Sequence, residues 1–322
     1  ADLIDAESAG AARNAVGQLQ GRMSRSVGGI YDALMDVVSR FYAIVDYPDE
    51  EIEPLQQAQI EQTLAESAER LDALLATFSR GRLLKSGVPA VILGKPNAGK
   101  SSLLNALLGY DRAIVTDIAG TTRDTVEEKV LVGSVLLRLC DTAGIRDAAD
   151  TVERLGVERA QQAAQRAELA LLVLDGSAPL TREDEEAIAA ARRARRMLVL
   201  VNKADLPQVL DTAALRVRFG EVIPLSARSG AGVDALCRAV EELFAGGETP
   251  RGELLTNARQ AESTQRALDA VRRAEQALRS GLSPDAVLTD AEEALEALAE
   301  FSGKRVRDDL VATIFSRFCV GK

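Results

Sequence analysis

Residues 94–101 read Gly-Lys-Pro-Asn-Ala-Gly-Lys-Ser, directly after the apolar run Val-Pro-Ala-Val-Ile-Leu and directly before Ser-Leu-Leu-Asn-Ala-Leu-Leu. The pattern GxxxxGK[ST] needs a strand on one side and a helix on the other, because the turn between them aims backbone N–H groups at phosphate oxygens. Both flanks here have the required character. The glycines let the backbone close around a phosphate, Lys100 supplies a point charge to the outer phosphates, and the Ser101 hydroxyl stands within reach of magnesium.

The surroundings extend the constraint. Apolar runs at 88–93, 126–132, 135–140, 169–174, 197–201 and 222–225 alternate with helical stretches, which predicts a mainly parallel sheet with helices on both faces. On either side the period changes. Val27, Ile30, Tyr31, Leu34, Val37, Val38, Phe41 and Val45 recur at three- and four-residue spacing, Pro48 interrupts them, and Ile60, Leu64, Leu71, Leu74, Leu75 and Phe78 form a second stripe. Residues 11–78 are therefore expected to form a helix pair, followed by a linker over 81–87. A second linker at 246–250 precedes a return of helical periodicity. Ser283-Pro284 makes an N-cap and first-turn pair for a helix bearing Val287, Leu288, Ala291, Leu295 and Leu298, and a last helix carries Val306, Leu310, Val311, Ile314, Phe315 and Phe318. The expected organisation is an α/β P-loop domain at 87–247 inserted into an all-α helical domain made of 1–86 and 248–322. A length of 322 residues suits two domains of about 150 residues each.

Three further segments follow in order. Asp141-Thr142-Ala143-Gly144 stands after the third strand, where an aspartate can hold magnesium through water and a glycine amide can meet a γ-phosphate. Asn202-Lys203-Ala204-Asp205 stands after the fifth, where a carboxylate accepts both the N1–H and the amino group that guanine has and adenine lacks. Asp205 is thus expected to select GTP over ATP. Ser226-Ala227 after the sixth strand would present a backbone amide to the guanine oxygen. The expected nucleotide set is Asn97, Ala98, Gly99, Lys100, Ser101, Ser102, Thr116, Thr121, Asp141, Gly144, Asn202, Lys203, Asp205, Ser226 and Ala227, binding GTP or GDP.

Ile145 stands where many small GTPases carry the glutamine that orients the attacking water. Either hydrolysis is slow, or another residue positions the water and charge is stabilised without an arginine finger. The segment Thr116-Asp117-Ile118-Ala119-Gly120-Thr121-Thr122-Arg123-Asp124 offers Thr122 as the switch threonine for magnesium. The Asn97 amide oxygen with backbone carbonyls of that segment could cage a monovalent cation.

Composition narrows the chemistry. The chain has no histidine, which removes the commonest general base and metal ligand and leaves carboxylates, backbone amides and ions. A net charge of −10 gives no whole-molecule attraction for nucleic acid. Arg192, Arg193, Arg195 and Arg196 are expected to close a helix that opens with Glu183, Asp184, Glu185 and Glu186, complementing its dipole on a solvated face rather than forming an RNA patch. Lys304, Arg305 and Arg307 form a second basic cluster, in the helical domain. Cys140, Cys237 and Cys319 lie far apart without a CxxC pair, so no disulfide framework or zinc site is indicated, and a reducing cytoplasm fits. Cys140 and Cys237 are expected in the core. Cys319, within Cys-Val-Gly-Lys, makes a poor prenylation box. No apolar run reaches membrane-spanning length, and no membrane association is expected. The chain opens at Ala1 without an initiator Met, as a processed or truncated product would.

The runs GKPNAGKSSLLNALLG, TDIAGTTRD, DTAGIRDAADTVERLG and FCVGK together resemble the MnmE (TrmE) family of bacterial and organellar tRNA-modifying GTPases, and the resemblance spans essentially the whole chain. It implies a potassium-stimulated GTPase in which potassium sits beside the phosphates and promotes dimerisation of the nucleotide domains. By position the potassium set is Asn97, Thr116, Ile118 and Thr121, the magnesium set Ser101 and Thr122, and the catalytic set Glu153, Lys100 and Thr122. Glu153 lies in the motif VERxG and would orient the water through a second water. The resemblance also implies action with the FAD-dependent partner MnmG (GidA) on the wobble uridine of tRNA (carboxymethylaminomethyl modification), and a tail cysteine, Cys319, that reaches toward bound folate. The family begins with a folate-binding, dimer-forming domain, and this chain starts where that domain would hand over. A folate derivative is thus expected only in the full-length protein, and the homodimer here only as a transient one. Two alternatives stay open: a ribosome-assembly GTPase of the Era or EngA type, and a nucleotide switch that does not hydrolyse.

Overall fold

The computed structural model describes residues 3–4, 6–46, 56–110, 128–140, 153–244, 254–301 and 305–317. They fall into two compact units, one formed by 1–6, 11–82 and 248–322 and the other by 7–10 and 83–247.

The first helices are α1 (Ala9–Leu19), α2 (Arg22–Asp46), α3 (Gln57–Ala76) and α4 (Phe78–Ser86). The helical stretch breaks at Gly21, whose φ of 74° a helix cannot absorb, so two helices stand where one was expected before Pro48. The expected linker at 81–87 is a correction: α4 runs through it. Arg82, Leu83, Leu84 and Lys85 are good helix formers. Gly81 is explained by close approach, since a Cβ there would lie 2.0 Å from the Leu255 carbonyl oxygen. Gly87, at φ 80°, follows the end of the helix.

The α/β unit continues with β1 (Val88–Leu93), α5 (Lys100–Tyr110), β2 (Glu128–Val132), β3 (Val135–Leu139), α6 (Glu153–Arg166), β4 (Leu169–Asp175), α7 (Arg182–Ala191), β5 (Arg196–Asn202), α8 (Thr212–Phe219), β6 (Val222–Pro224) and α9 (Val233–Phe244). Among the described residues these strands form one sheet in the order β2-β3-β1-β4-β5-β6, parallel except for the antiparallel β2–β3 hairpin. Because side chains alternate along a strand, Ile92, Leu171, Val173 and Leu200 pack on one face with Leu103 and Leu107 of α5 and Leu236 of α9. Leu93, Leu172, Leu174 and Val201 pack on the other with Ala164 of α6 and Ile188 of α7. Every residue of β4 is buried, as a central parallel strand covered on both faces requires. Cys237 is in this core, and Cys140 at its margin is half-buried.

The helical unit adds α10 (Ala258–Arg279), α11 (Pro284–Ala299) and α12 (Val306–Arg317). Ile30, Leu34, Leu64, Leu71, Leu268 and Leu295 are fully buried in it. The buried face of α10 is mostly small, with Ala261, Ser263, Thr264, Ala267, Ala270, Ala274 and Ala277, which lets neighbouring helix axes approach closely. Two expected stripes are narrower than the sequence suggested. Val45 is 58% exposed at the end of α2, and on α12 Val311 and Phe315 are each 53% exposed while Ile314 faces inward. No described helix is long and apolar enough to cross a membrane.

The arginines after α7 also correct the expectation. The helix ends at Ala191, so they do not occupy its last turn. Arg192 lies over the Phe219 ring at 5.8 Å, Arg195 pairs with Glu168 at 3.6 Å, and Arg196 opens β5, donating to the Leu243 carbonyl and lying over Phe244. In the helical unit Arg305 lies 4.0 Å from Asp308, both exposed, and Arg307 lines the same open cleft as Glu296. Lys304 lies outside the described residues.

Candidate functional site

Strand β1 lies between β3 and β4, so the chain leaves its carboxyl end where successive connections diverge along the sheet. Open α/β sheets bind ligands at that crevice. The turn at 94–100 is shaped for close approach. At Gly94 (φ 154°) a Cβ would stand 2.4 Å from the Val173 carbonyl oxygen, and at Gly99 (φ 99°) 2.0 Å from Asn202 Nδ2. Asn97, at φ 60°, takes the left-handed conformation that asparagine tolerates better than most residues. Its side chain is exposed, Ala98 beneath it is buried, and Ser101 and Ser102 are exposed on the first turn of α5.

Lys100 Nζ donates to the carbonyls of Gly94 and Lys95, 2.8 Å each. Burial pushes its pKa below the ordinary lysine value. An ammonium held by neutral carbonyls rather than a carboxylate keeps its charge available to an anion, and phosphate oxygens are stronger partners than carbonyls.

Asn202 ends β5 and is buried. Its Nδ2 donates to the Ala98 carbonyl at 2.8 Å and its Oδ1 accepts from the Ala227 N–H at 2.9 Å, so one carboxamide joins the phosphate turn to the loop after β6. The Ala227 amide expected to face guanine is thus engaged by a buried oxygen that needs a donor, and the Ser226 N–H donates to the Ala231 carbonyl. Asp205 is exposed. A hydrogen bond from the Ser226 side chain, then one from its own backbone N–H and the nearby Arg228 and Lys203 charges, hold its carboxyl below the usual aspartate value despite slight desolvation.

Lys203, at φ 64°, places its Nζ 2.6 Å from Asp175 Oδ2 at the end of β4. The other oxygen, Asp175 Oδ1, accepts from the Ser177 N–H and hydroxyl at 3.0 and 2.7 Å. Burial alone would raise the Asp175 pKa, but the bonds from Lys203 and Ser177 outweigh it and hold the carboxyl below its ordinary value. Gln208 Nε2 donates to the Lys203 carbonyl at 2.9 Å, and the Gly176 N–H to the Asn202 carbonyl at 2.9 Å. Asp175, Asp184 and Gln208 were not singled out as site residues in the sequence. The available signals were weak: an aspartate before Gly-Ser at a strand end, and an acidic residue three positions after Thr181.

The structure thus brings Asn97, Ala98, Gly99, Lys100, Ser101 and Ser102 to the edge of the sheet that also carries Asn202, Lys203, Asp205, Ser226 and Ala227. Glu153 is the first residue of α6. Thr116, Ile118, Thr121, Thr122, Asp141, Gly144, Ile145 and Cys319 lie outside the described residues. Among the described residues no cluster of three or more Cys, Asp or Glu side chains is placed to hold a metal ion.

Comparison with known proteins extends the picture beyond the site. A family model described as the MnmE helical domain matches residues 1–319. The tRNA modification GTPase MnmE of Roseiflexus sp. (strain RS-1) is 42% identical over 333 residues, covering 100% of this chain and 71% of that protein. The protein of the same name from Heliobacterium modesticaldum is 40% identical over 331 residues, with the same coverage. Among solved structures, the G domain of the T. maritima FeoB iron transporter aligns at 22% identity with a TM-score of 0.37, over 49% of this chain and 99% of that one. The matches to the two MnmE proteins and to the family model span essentially the whole of this chain, and the chain belongs to the MnmE family of tRNA modification GTPases.

Proposed function

We propose that the chain hydrolyses GTP to GDP and phosphate at the carboxyl edge of its sheet, as the nucleotide-driven part of tRNA wobble-uridine modification. In this reading residues 87–247 form the GTP-binding domain, set within a helical domain of 1–86 and 248–322. The observation that carries it is the Asn202 carboxamide, which links the phosphate turn at Ala98 to Ala227 and so puts Lys100 and Asp205 on one rigid frame.

Residues present fit the nucleotide: two glycines where a Cβ would collide, a lysine held by two backbone carbonyls among the described residues, and a helix starting at Lys100. Lys100 binds the outer phosphates and Asp205 reads the guanine edge, with Asn202, Lys203, Ser226 and Ala227 framing the base. Magnesium would take the exposed Ser101 hydroxyl, Thr122 and phosphate oxygens, and would supply charge neutralisation at the transferred phosphate. Potassium would take Asn97 with Thr116, Ile118 and Thr121. The left-handed, exposed Asn97 supports that role, because its amide stands clear of the turn it belongs to. Glu153 orients the water. Family membership supports tRNA as the substrate being modified, an MnmG-type FAD protein as partner, association through the GTP-binding domains, a folate derivative in the wider reaction, and the cytoplasm as the place of action.

Phosphate release from GTP, followed in potassium and in sodium chloride at matched ionic strength, tests the proposal. Faster turnover in potassium is expected. Equal rates would remove the potassium set, and displacement of bound GDP by ATP as readily as by GTP would remove the guanine site.

A further inference from the structure

Lys95 is the second residue of the phosphate turn, yet none of the nucleotide chemistry above falls to its side chain. Its Nζ meets Asp184 Oδ2 at 2.7 Å, and the two side chains are 11% and 1% exposed. That same oxygen accepts from the Thr181 N–H and hydroxyl, 2.8 Å each, so the carboxylate is fixed as part of the N-terminal cap of α7. Asp184 Oδ1 is buried with no hydrogen-bond partner among the described residues. At its other end Lys95 offers its carbonyl to Lys100 Nζ at 2.8 Å and to the Ala98 N–H at 3.3 Å. One residue of the turn is therefore gripped from both sides, its side chain by α7 and its carbonyl by the phosphate lysine.

As a stabilising device this is a poor choice. Removing both charges from water is costly, and apolar residues of similar volume in place of a buried ion pair are often neutral or better. A carboxylate with one oxygen left unsatisfied is worse still. What the pair does supply is orientation, at the residue whose carbonyl holds Lys100.

We propose that Asp184 is a positioning residue for phosphate recognition: by anchoring Lys95 to the first turn of α7 it holds residues 94–100 in the shape from which Lys100 reaches the outer phosphates. This rests on the GTP-binding reading above and deepens it. It predicts which part of the nucleotide feels the loss. The P-loop lysine reaches the β- and γ-phosphates, which GMP lacks. Disturbing the clasp should weaken GDP and leave GMP nearly untouched.

The test measures Kd for GDP and for GMP by competition, with melting temperature alongside, in the unaltered chain, in Asp184→Asn, and in the paired variant Lys95→Met/Asp184→Leu. Asp184→Asn should raise the GDP Kd about tenfold, the size of one coupling between groups in contact, with little change for GMP. The paired variant should recover the melting temperature, because neither charge is left buried alone, and still show the weakened GDP-to-GMP preference. It also carries the test if Asp184→Asn fails to fold. A paired variant with the original preference would overturn the proposal and leave the clasp a structural contact. An unaltered chain that binds neither nucleotide would overturn the guanine site itself, a different result from an unchanged preference.

Discussion

The two units treat buried charge in opposite ways. In the α/β unit Asp175, Asp184, Asn202 and Ser226 are buried, and each is bonded to a loop at the carboxyl edge of the sheet. In the helical unit none of the buried polar residues described is charged: Asn14 donates to the Leu254 carbonyl, the others are serine and threonine hydroxyls such as Ser39 and Thr264, which donate to carbonyls of their own helix, and the charged pairs sit outside. Arg273 joins Asp290 and Glu293, and Arg272 joins Asp72, all with side chains substantially open to water except that of Asp290. Buried charge is costly wherever it occurs. It is kept in the unit whose loops must hold one shape for a ligand, and is avoided in the unit whose work is packing.

Substitutions test that contrast in descending order of effect. Lys95→Met leaves Asp184 buried and unpaired, and should destabilise the α/β unit by about 3–5 kcal/mol in urea unfolding; a loss under 1 kcal/mol would mean water reaches the pair and the contrast is overstated. Leu34→Ala removes a fully buried side chain from the helical core and should cost about 2–5 kcal/mol, with GDP affinity unchanged. If affinity fell with stability, the helical unit would be contributing to the nucleotide loops as well as to packing. Glu153→Ala should lower GTP turnover about a hundredfold while leaving GDP affinity intact, which steady-state kinetics and a direct binding titration separate. Arg273→Ala, at an exposed pair, should move stability by less than about 1 kcal/mol, and a larger loss would put a coupled network on that surface.

The smallest effect expected is one of pH. The Asp175 carboxyl is held below its ordinary value in the fold, so its contribution to stability is complete above the unfolded value of about 3.9 and is lost only as pH falls through the lower folded value. Unfolding of the α/β unit followed at pH 7, 5 and 4 should show no step from this group. A step between pH 7 and 5 would mean that the Lys203 pairing does not persist in solution.

How far the sequence revealed all this depended on whether the cause was local. The strand before residue 94, the glycine positions of the turn and the Ser283-Pro284 helix start each follow from a few neighbouring residues, and each appears in the structure. Gly81 misled because glycine marks a linker and a tight helix crossing equally well, and only the Leu255 backbone distinguishes them. The arginines after Ala191 misled in another way: their partners Glu168, Phe219, Leu243 and Phe244 belong to other elements, and spacing along one helix cannot register them. Asp184 looked like one of four acidic residues favouring a helix start. That it faces Lys95, 89 residues away, is a fact of tertiary structure alone.

The crossing at Gly81 has a consequence for how the protein is made. Leu255 lies against Gly81, takes a hydrogen bond acceptor in the Thr77 hydroxyl, and follows Leu254, whose carbonyl receives the Gln18 side chain. The Leu255 backbone that packs on the end of this helical segment is thus made only after the ribosome has added more than 170 residues beyond Thr77. The sheet between is continuous in sequence and can close as soon as β6 and α9 emerge, so it should fold first, while α2 and α3 wait with their leucine faces open to chaperones. Proteolysis of chains truncated near residue 265 and released from the ribosome should find the sheet resistant and the leading helices cleavable. Chains ending beyond residue 317 should protect both.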